Sequence, residues 1–545
     1  MNVQVSLNTP AKKATPAPAP LLSLRNLVIA KAGRRLVDGV SLEIAAGRTL
    51  AVIGESGSGK SLTALTLLGL LPEGLDIDEA TRIAVDGREI GPRDERDWRA
   101  LRGRRIAMVF QDPMACLNPF MRVGEQIDEA LRRAGVASRT ERRQRMAERL
   151  AEVELPAPDT LARRYPHELS GGQQQRVMIA MALAGAPDLL IADEPTSALD
   201  ASVQAEIVAL LARLQARRGL ALLIITHDLS VAGALAHEVV VMQRGRIVEA
   251  GPAAEVLVRP RDPYTARLVG ARRRLDEVAP HRPDAGRAIV EAEGLCVDYA
   301  ARRLFGAPHR AVHEAALSLV PGRTVGLLGE SGSGKSTLAA ALAGLRPLSA
   351  GQVRLLGHEV VPGGRPLPRA LRRQCQMVFQ NPYGALNPRL TIGRALAEPL
   401  ALMGVPARER EARIALALKE VGLEHEHAAR FPHQLSGGQR QRACIARALL
   451  CEPRVLICDE VISALDMSVK VQILDLLRRL QQERGFAMLF VGHDIEAVRW
   501  IADEVLVMNR GRIVERCAAD ALDEAHVRDP YTRRLLASRL LPRAA

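Results

Sequence analysis

The chain carries the same ordered set of segments twice. GESGSGKS begins at Gly54 and again at Gly329, VFQDP and VFQNP set Gln111 against Gln380, and LSGGQ sets Ser170 against Ser436. LLIADE and VLICDE then set Asp193 against Asp459, a strand-terminal histidine recurs as His227 and His493, and DPYT recurs at Asp262 and Asp529. Recurrence in fixed order means two copies of one domain, which 545 residues accommodate. The offset between copies falls from 275 residues at the first segment to 269 at the glutamines and 266 at LSGGQ. Length variation is therefore concentrated in one internal segment, the place for a peripheral subdomain. The expected organisation is a disordered leader over 1–20, a first domain over 21–269, a Pro- and Arg-rich linker over 270–287, a second domain over 288–538 and a tail over 539–545.

Within each copy, short apolar runs lead into polar or Gly-rich turns: TLAVIG before Lys60, LLIA before Asp193, ALLIIT before His227. Helical patterns separate them, so each half is predicted to be α/β with a mainly parallel sheet core buried on both faces. Between Gln111 and Ser170 the strand-like runs stop, and EQIDEALRRAGV and ERRQRMAERLAEV read as an inserted helical subdomain. Aromatic residues are only 3% of the chain, which argues against a surface that stacks unpaired bases. The net charge of +13 admits an anionic partner, whether nucleotide, nucleic acid or membrane face, without choosing among them. No run of 18 apolar residues occurs and the leader has no apolar core segment, so a soluble cytosolic chain is expected. Seven cysteines, an odd number, fit a reducing compartment.

GESGSGKS matches GxxxxGK[ST]. Its glycines let successive N–H groups turn inward as a phosphate nest at a helix N-terminus. The expected nucleotide cradle is Gly54, Glu55, Ser56, Gly57, Ser58, Gly59, Lys60 and Ser61, and in the second copy Gly329, Glu330, Ser331, Gly332, Ser333, Gly334, Lys335 and Ser336. The lysines add charge on the β- and γ-phosphates, and Ser61 and Ser336 offer hydroxyls to Mg²⁺. A Gly/Ser turn ahead of a helix is the bland alternative; its recurrence after an apolar strand argues against it. Asp193 and Asp459 would reach Mg²⁺ directly or through water, and Glu194 and Glu460 would polarise the attacking water, the alternative being solvated loop acids. LSGGQ opens a helix with a serine and two glycines, so Ser170, Gly171, Gly172 and Gln173, with Ser436, Gly437, Gly438 and Gln439, form a second anion-binding terminus in each half. Two phosphate sites per half invite reciprocal use, the loop of one half binding ATP and the LSGGQ of the other closing over it. Cys444, Cys451 and Cys458 recur every seven residues but fall on the LSGGQ helix, near its end and on the Asp459 strand, and read as small buried residues rather than ligands. His425 and His427 would point about 200° apart on a helix, which disfavours a shared metal.

The ordered set of Gly-rich loop, glutamine, LSGGQ, Asp-Glu, SALD and histidine resembles the nucleotide-binding domains of ATP-binding cassette (ABC) proteins over nearly all of the chain outside leader and linker. The resemblance implies two tandem P-loop ATPase domains that use ATP and Mg²⁺. It implies that Gln111 and Gln380 sense γ-phosphate and metal, that His227 and His493 contact γ-phosphate, and that Asp200 and Asp466 of SALD communicate across the pair of halves. The metal sets so implied are Ser61, Gln111 and Asp193, and Ser336, Gln380 and Asp459. FQDPMACLNP and FQNPYGALNP, YPHELSGG and FPHQLSGG, and the DPYT segments are similar to the ATPases of peptide, nickel and glutathione importers. That similarity implies ATP hydrolysis coupled to uptake, two integral membrane permease subunits, an extracytoplasmic solute-binding protein, a peripheral place on the cytoplasmic face of the inner membrane, and no nucleic acid. Fusion makes the pairing of the two ATPase halves intramolecular. The competing reading is a soluble tandem ABC ATPase acting on ribosomes, whose long charged helical arm between domains the short Pro-broken spacer here does not match. A DNA-repair or chromosome ATPase would need CxxC pairs or long coiled coils, and neither occurs.

Two departures separate the halves. Tyr299 stands where the family stacks an aromatic on adenine, whereas LVIAKAG puts Lys31 there in the first half. Val461-Ile462 follows Glu460 where Pro195-Thr196 follows Glu194. The two ATP sites are therefore expected to be unequal.

Overall fold

The computed structural model describes residues 20–197, 199–276, 286–300, 308–364, 366–463 and 465–539. The expected leader, apart from Pro20, lies outside them, as does the expected tail beyond Arg539. Each half is built on a six-stranded sheet. In the first half its order is Arg246–Pro252, Glu238–Gln243, Thr49–Ile53, Ala221–Thr226, Leu189–Asp193, Ile106–Val109; only the Glu238–Gln243/Arg246–Pro252 pair is antiparallel. The second half repeats the order with Arg512–Ala518, Glu504–Asn509, Thr324–Leu328, Ala487–Gly492, Val455–Asp459 and Cys375–Val378. Leu189–Asp193 shows how the sheet is buried on both faces. Leu189 and Ile191 enter a core shared with a second sheet, while Leu190 and Ala192 enter one shared with the helical insertion.

That second sheet is antiparallel, ordered Arg34–Ile44, Leu22–Lys31, Arg82–Val85, Arg88–Ile90, and has a counterpart in the other half. The sequence pattern did not announce it. The helical insertion comprises Val123–Arg133, Arg139–Glu152 and Pro158–Ala162 in the first half, and Ile392–Leu402 and Ala407–Glu420 in the second.

The expected linker needs correction. The helix Pro263–Asp276 runs past 269, and its apolar positions Tyr264, Leu268, Ala271 and Leu275 keep a helical spacing that a boundary at 269 divides. Leu275 is 2% exposed and belongs to the second half's core, with Ala271 packed beside it. This helix lies against Met467–Arg484 and Ile495–Ile501 of the second half. Arg274 makes a bidentate ion pair with Asp475 at 3.0 and 3.1 Å. Nearby, Glu496 accepts from both Arg272 at 3.4 Å and Arg539 at 3.1 Å.

Candidate functional site

Each Gly-rich loop leaves a buried central strand and enters a helix at its lysine, Lys60–Thr66 or Lys335–Leu342. Gly54 and Gly329 are required by a close approach: a Cβ there would sit 2.2 Å from the Met242 carbonyl oxygen or 2.3 Å from that of Met508. Gly59 and Gly334, at φ 98° and 104°, turn the chain into the helix. The lysines curl back into their own loops. Lys60 Nζ donates to the carbonyls of Gly54 at 2.7 Å and Glu55 at 2.9 Å, and Lys335 Nζ to those of Gly329 at 2.7 Å and Glu330 at 2.8 Å. Burial lowers both ammonium pKa values, against the opposing pull of the acids around them.

The strand-end carboxylates come to these loops. Ser61 Oγ donates to Asp193 Oδ1 at 3.2 Å, and Ser336 Oγ to Asp459 Oδ1 at 3.0 Å. A hydroxyl beside a carboxylate is an oxygen donor set suited to Mg²⁺. The buried Ser333 Oγ, which has no hydrogen-bond partner among the described residues, fits a loop shaped for phosphate oxygens. Burial raises both Asp pKa values, and the adjacent glutamate adds to it. Glu194 and Glu460 sit at φ 46° and 47°, which turns them off the strand. Gln111 Nε2 donates to Glu194 Oε2 at 3.0 Å, and His227 Nδ1 lies 3.0 Å from Glu194 Oε1. In the second half Gln380 Nε2 donates to Glu460 Oε2 at 2.7 Å, but His493 Nδ1 stands 3.6 Å away and lacks a hydrogen bond among the described residues. Burial acts to raise the Glu194 and Glu460 carboxyls; the histidine and lysine beside each outweigh it and hold them below the usual carboxylate range. Val461-Ile462 leaves the turn unchanged: Glu460 N–H reaches Val491 O at 3.0 Å, as Glu194 N–H reaches Ile225 O at 2.8 Å.

LSGGQ is pinned as a capping box. Ser170 Oγ accepts from Gln173 N at 3.3 Å and Gln173 Oε1 from Ser170 N at 3.1 Å; Ser436 and Gln439 repeat this at 3.3 and 3.0 Å. Gly172 and Gly438 let the helix start press on Val203 and Val469, 2.5 Å from where a Cβ would be. Gly171 and Gly437 open the same helices. The SALD aspartates cross to the other half: Ser56 N donates to Asp466 Oδ2 at 3.0 Å and Ser331 N to Asp200 Oδ1 at 2.8 Å. Ser468 bonds Glu55, and Ser202 bonds Glu330.

Tyr299 ends its strand at the mouth of a cleft of about 690 Å³ that also holds Lys335, Ser336, Gln380 and Glu460. Its hydroxyl is 3.1 Å from Thr337 Oγ1, and Arg346 lies over its ring at 5.1 Å. Lys31 is the last residue of the matching strand and pairs with Arg34 as Tyr299 pairs with His309. Cys444, Cys451 and Cys458 are buried and unpaired, and burial pushes their thiols up. His427 bonds Glu424 O and faces Gln439, and among the described residues no cluster of three His, Cys, Asp or Glu side chains could hold a metal. What the motifs did not disclose is that Tyr264 and Tyr531 of the DPYT segments reach the Gly-rich loops; only their recurrence at the end of each half signalled a role.

The model of the ABC transporter family matches residues 37–197 and again 312–463. The chain belongs to the ABC transporter family. It is 42% identical over 530 residues to "Peptidoglycan transport ATP-binding protein YejF" of Agrobacterium fabrum, covering 95% of this chain and 96% of that one. It is 41% identical over 536 residues to "Glutathione import ATP-binding protein GsiA" of Escherichia coli (strain K12), covering 92% of this chain and 86% of that one. As a tandem ABC ATPase it has both copies of the family's domain, and these relatives lend no support to a ribosomal role.

Proposed function

We propose that this ABC ATPase is the ATP-hydrolysing subunit of a membrane importer for peptides or related small solutes, of the dipeptide, oligopeptide, nickel or glutathione class. The observation that carries the reading is the Lys–Ser–Asp–Glu constellation, present twice, with each Gly-rich loop touched by the SALD aspartate of the opposite half. ATP at Lys60 is read as closed over by Ser436, Gly437, Gly438 and Gln439, and ATP at Lys335 by Ser170, Gly171, Gly172 and Gln173. The lysine releases its loop carbonyls and takes the phosphates instead. Mg²⁺ would be held by Ser61 and Asp193, or Ser336 and Asp459, with Gln111 or Gln380 at its edge, and would neutralise charge on the phosphate oxygens. Glu194 and Glu460, ionised at neutral pH, accept the proton of the attacking water, while His227 and His493 hold the γ-phosphate side. We propose domain limits of 21–276 and 288–538, the first extended from 269 because its terminal helix reaches Asp276.

Exposed apolar surface at the helical insertions supports the partner reading. Phe120 is 90% exposed beside the first helical insertion, and a groove of about 1280 Å³ in the second half is lined by Phe379, Leu402 and Arg447. Such patches mark interaction surfaces, and we assign them to two integral membrane permeases, which a solute-binding protein would feed. No helix among the described residues is long and apolar enough to cross a membrane. The likeness to an import ATP-binding protein supports a peripheral place at the cytoplasmic face of the inner membrane. The test is purification from detergent-solubilised membranes. Two permease chains per ATPase, with hydrolysis stimulated by a solute-loaded binding protein, are expected; recovery on ribosomes alone would refute the reading.

A further inference from the structure

The DPYT segments form the repeated motif that nucleotide chemistry leaves without a task. Each is fixed from two directions. Glu249, on the strand Arg246–Pro252, accepts the N–H groups of Arg261 at 2.8 Å and Asp262 at 3.1 Å, and Glu515 accepts those of Arg528 and Asp529 at 2.8 Å each. Asp262 then caps the terminal helix by accepting from Tyr264 N at 2.8 Å and Thr265 N at 3.2 Å; Asp529 repeats this at 2.9 and 3.2 Å. The tyrosine ring is thereby set in the first turn of a helix docked on its own sheet. Its hydroxyl accepts the backbone N–H of Glu55 at 3.0 Å, and Tyr531 accepts that of Glu330 at 3.0 Å.

These glutamates are the second residues of the Gly-rich loops, and the same loops are touched from the opposite half by Asp466 and Ser468, or Asp200 and Ser202. Each loop entrance is thus clamped between its own terminal helix and the other half. Packing alone would be met by phenylalanine, since both rings are buried. The hydroxyl is what the loop uses. Burial pushes both phenols up to about 12, so they stay neutral hydroxyls at any working pH.

We propose that Tyr264 and Tyr531 are positioning residues of the two ATP sites, each hydroxyl fixing the entrance of its Gly-rich loop so that the phosphate nest is shaped before nucleotide arrives. The inference rests on reading those loops as ATP sites. Without the hydroxyl a sheltered N–H loses its acceptor and the loop gains freedom that ATP must remove again.

Equilibrium dialysis with radiolabelled MgATP on the full chain, in a Glu194→Gln, Glu460→Gln background, separates the possibilities. With Lys335→Ala added, only the Lys60 site binds, and Tyr264→Phe is expected to weaken it about tenfold while Tyr531→Phe leaves it within about twofold. With Lys60→Ala added instead, the two phenylalanine variants exchange effects. In the hydrolysing protein each variant should raise half-saturating ATP and leave the rate at saturation little changed, because Gln111, Glu194 and His227 are untouched. No shift, or an equal shift from both variants in either background, overturns the proposal. If Lys60→Ala with Lys335→Ala still binds two ATP, the loops are not the ATP sites and the proposal falls with them.

Discussion

Glutamate at φ near +46° is a costly backbone state, of the order of 1–2 kcal/mol, and the chain adopts it at both Glu194 and Glu460. The turn lets one carboxylate meet Gln111 and His227 while its neighbour Asp193 stays with Ser61. Replacing both glutamates by glutamine should keep ATP binding and cut phosphate release by about 10²-fold or more, measured on the purified double variant. Tyr299 offers a second check. Base–aromatic stacking contributes about 1–3 kcal/mol, so Tyr299→Ala should weaken ATP at the Lys335 site about five- to hundredfold. Lys31→Tyr should strengthen the Lys60 site, and equal unchanged sites in a titration would show that Lys31 does not face adenine. The groups that meet at each Gly-rich loop, such as Ser61 with Asp193 and Gln111 with Glu194, were readable because phosphate chemistry demands particular types at particular spacings. The tyrosine hydroxyls were not, because a hydrogen bond to a backbone N–H leaves no pattern beyond the residue itself.

At the level of elements, Glu152 ties the insertion helix Arg139–Glu152 to the helix Ala201–Arg218. It accepts from Arg218 Nη2 at 2.6 Å and Arg149 Nη1 at 2.7 Å. Burial acts to raise its carboxyl, and the two arginines more than reverse this, so its folded pKa is lowered. A lowered folded pKa gives stability that is full above the unfolded value of about 4.3 and fades as pH falls through the folded one. Glu152→Gln should therefore cost about 2 kcal/mol at neutral pH and little in strong acid, as read by urea unfolding at both. The parallel strands and the insertion were legible from apolar runs and their absence. The antiparallel sheet was hidden by its own irregularity. Along Leu22–Lys31 the alternation slips at Asn26, φ 51°, and along Val290–Tyr299 at Gly294, φ 59°, where the register shifts. A period of two that breaks phase mid-strand does not read as a strand.

Over the whole molecule, one helix of the first half is seated in the core of the second, beside the loop contacts that cross between the halves. Leu275→Ala should lower stability by about 2–4 kcal/mol, visible as a shifted denaturation midpoint, with weaker ATP-driven closure. The joint also has polarity. Asp475 and Glu496, which hold Arg274 and Arg272, correspond in the first half to Ala209 and Ser230. A first half meeting another first half would offer its arginines no carboxylates at these places, so the contact discriminates as well as attracts. If the two halves were expressed as separate polypeptides, divided between Asp276 and Gly286, they should find each other in mixed pairs and rebuild both sites. Covalent continuity then governs the concentration at which the pair forms, while the choice of mate is written in two acids.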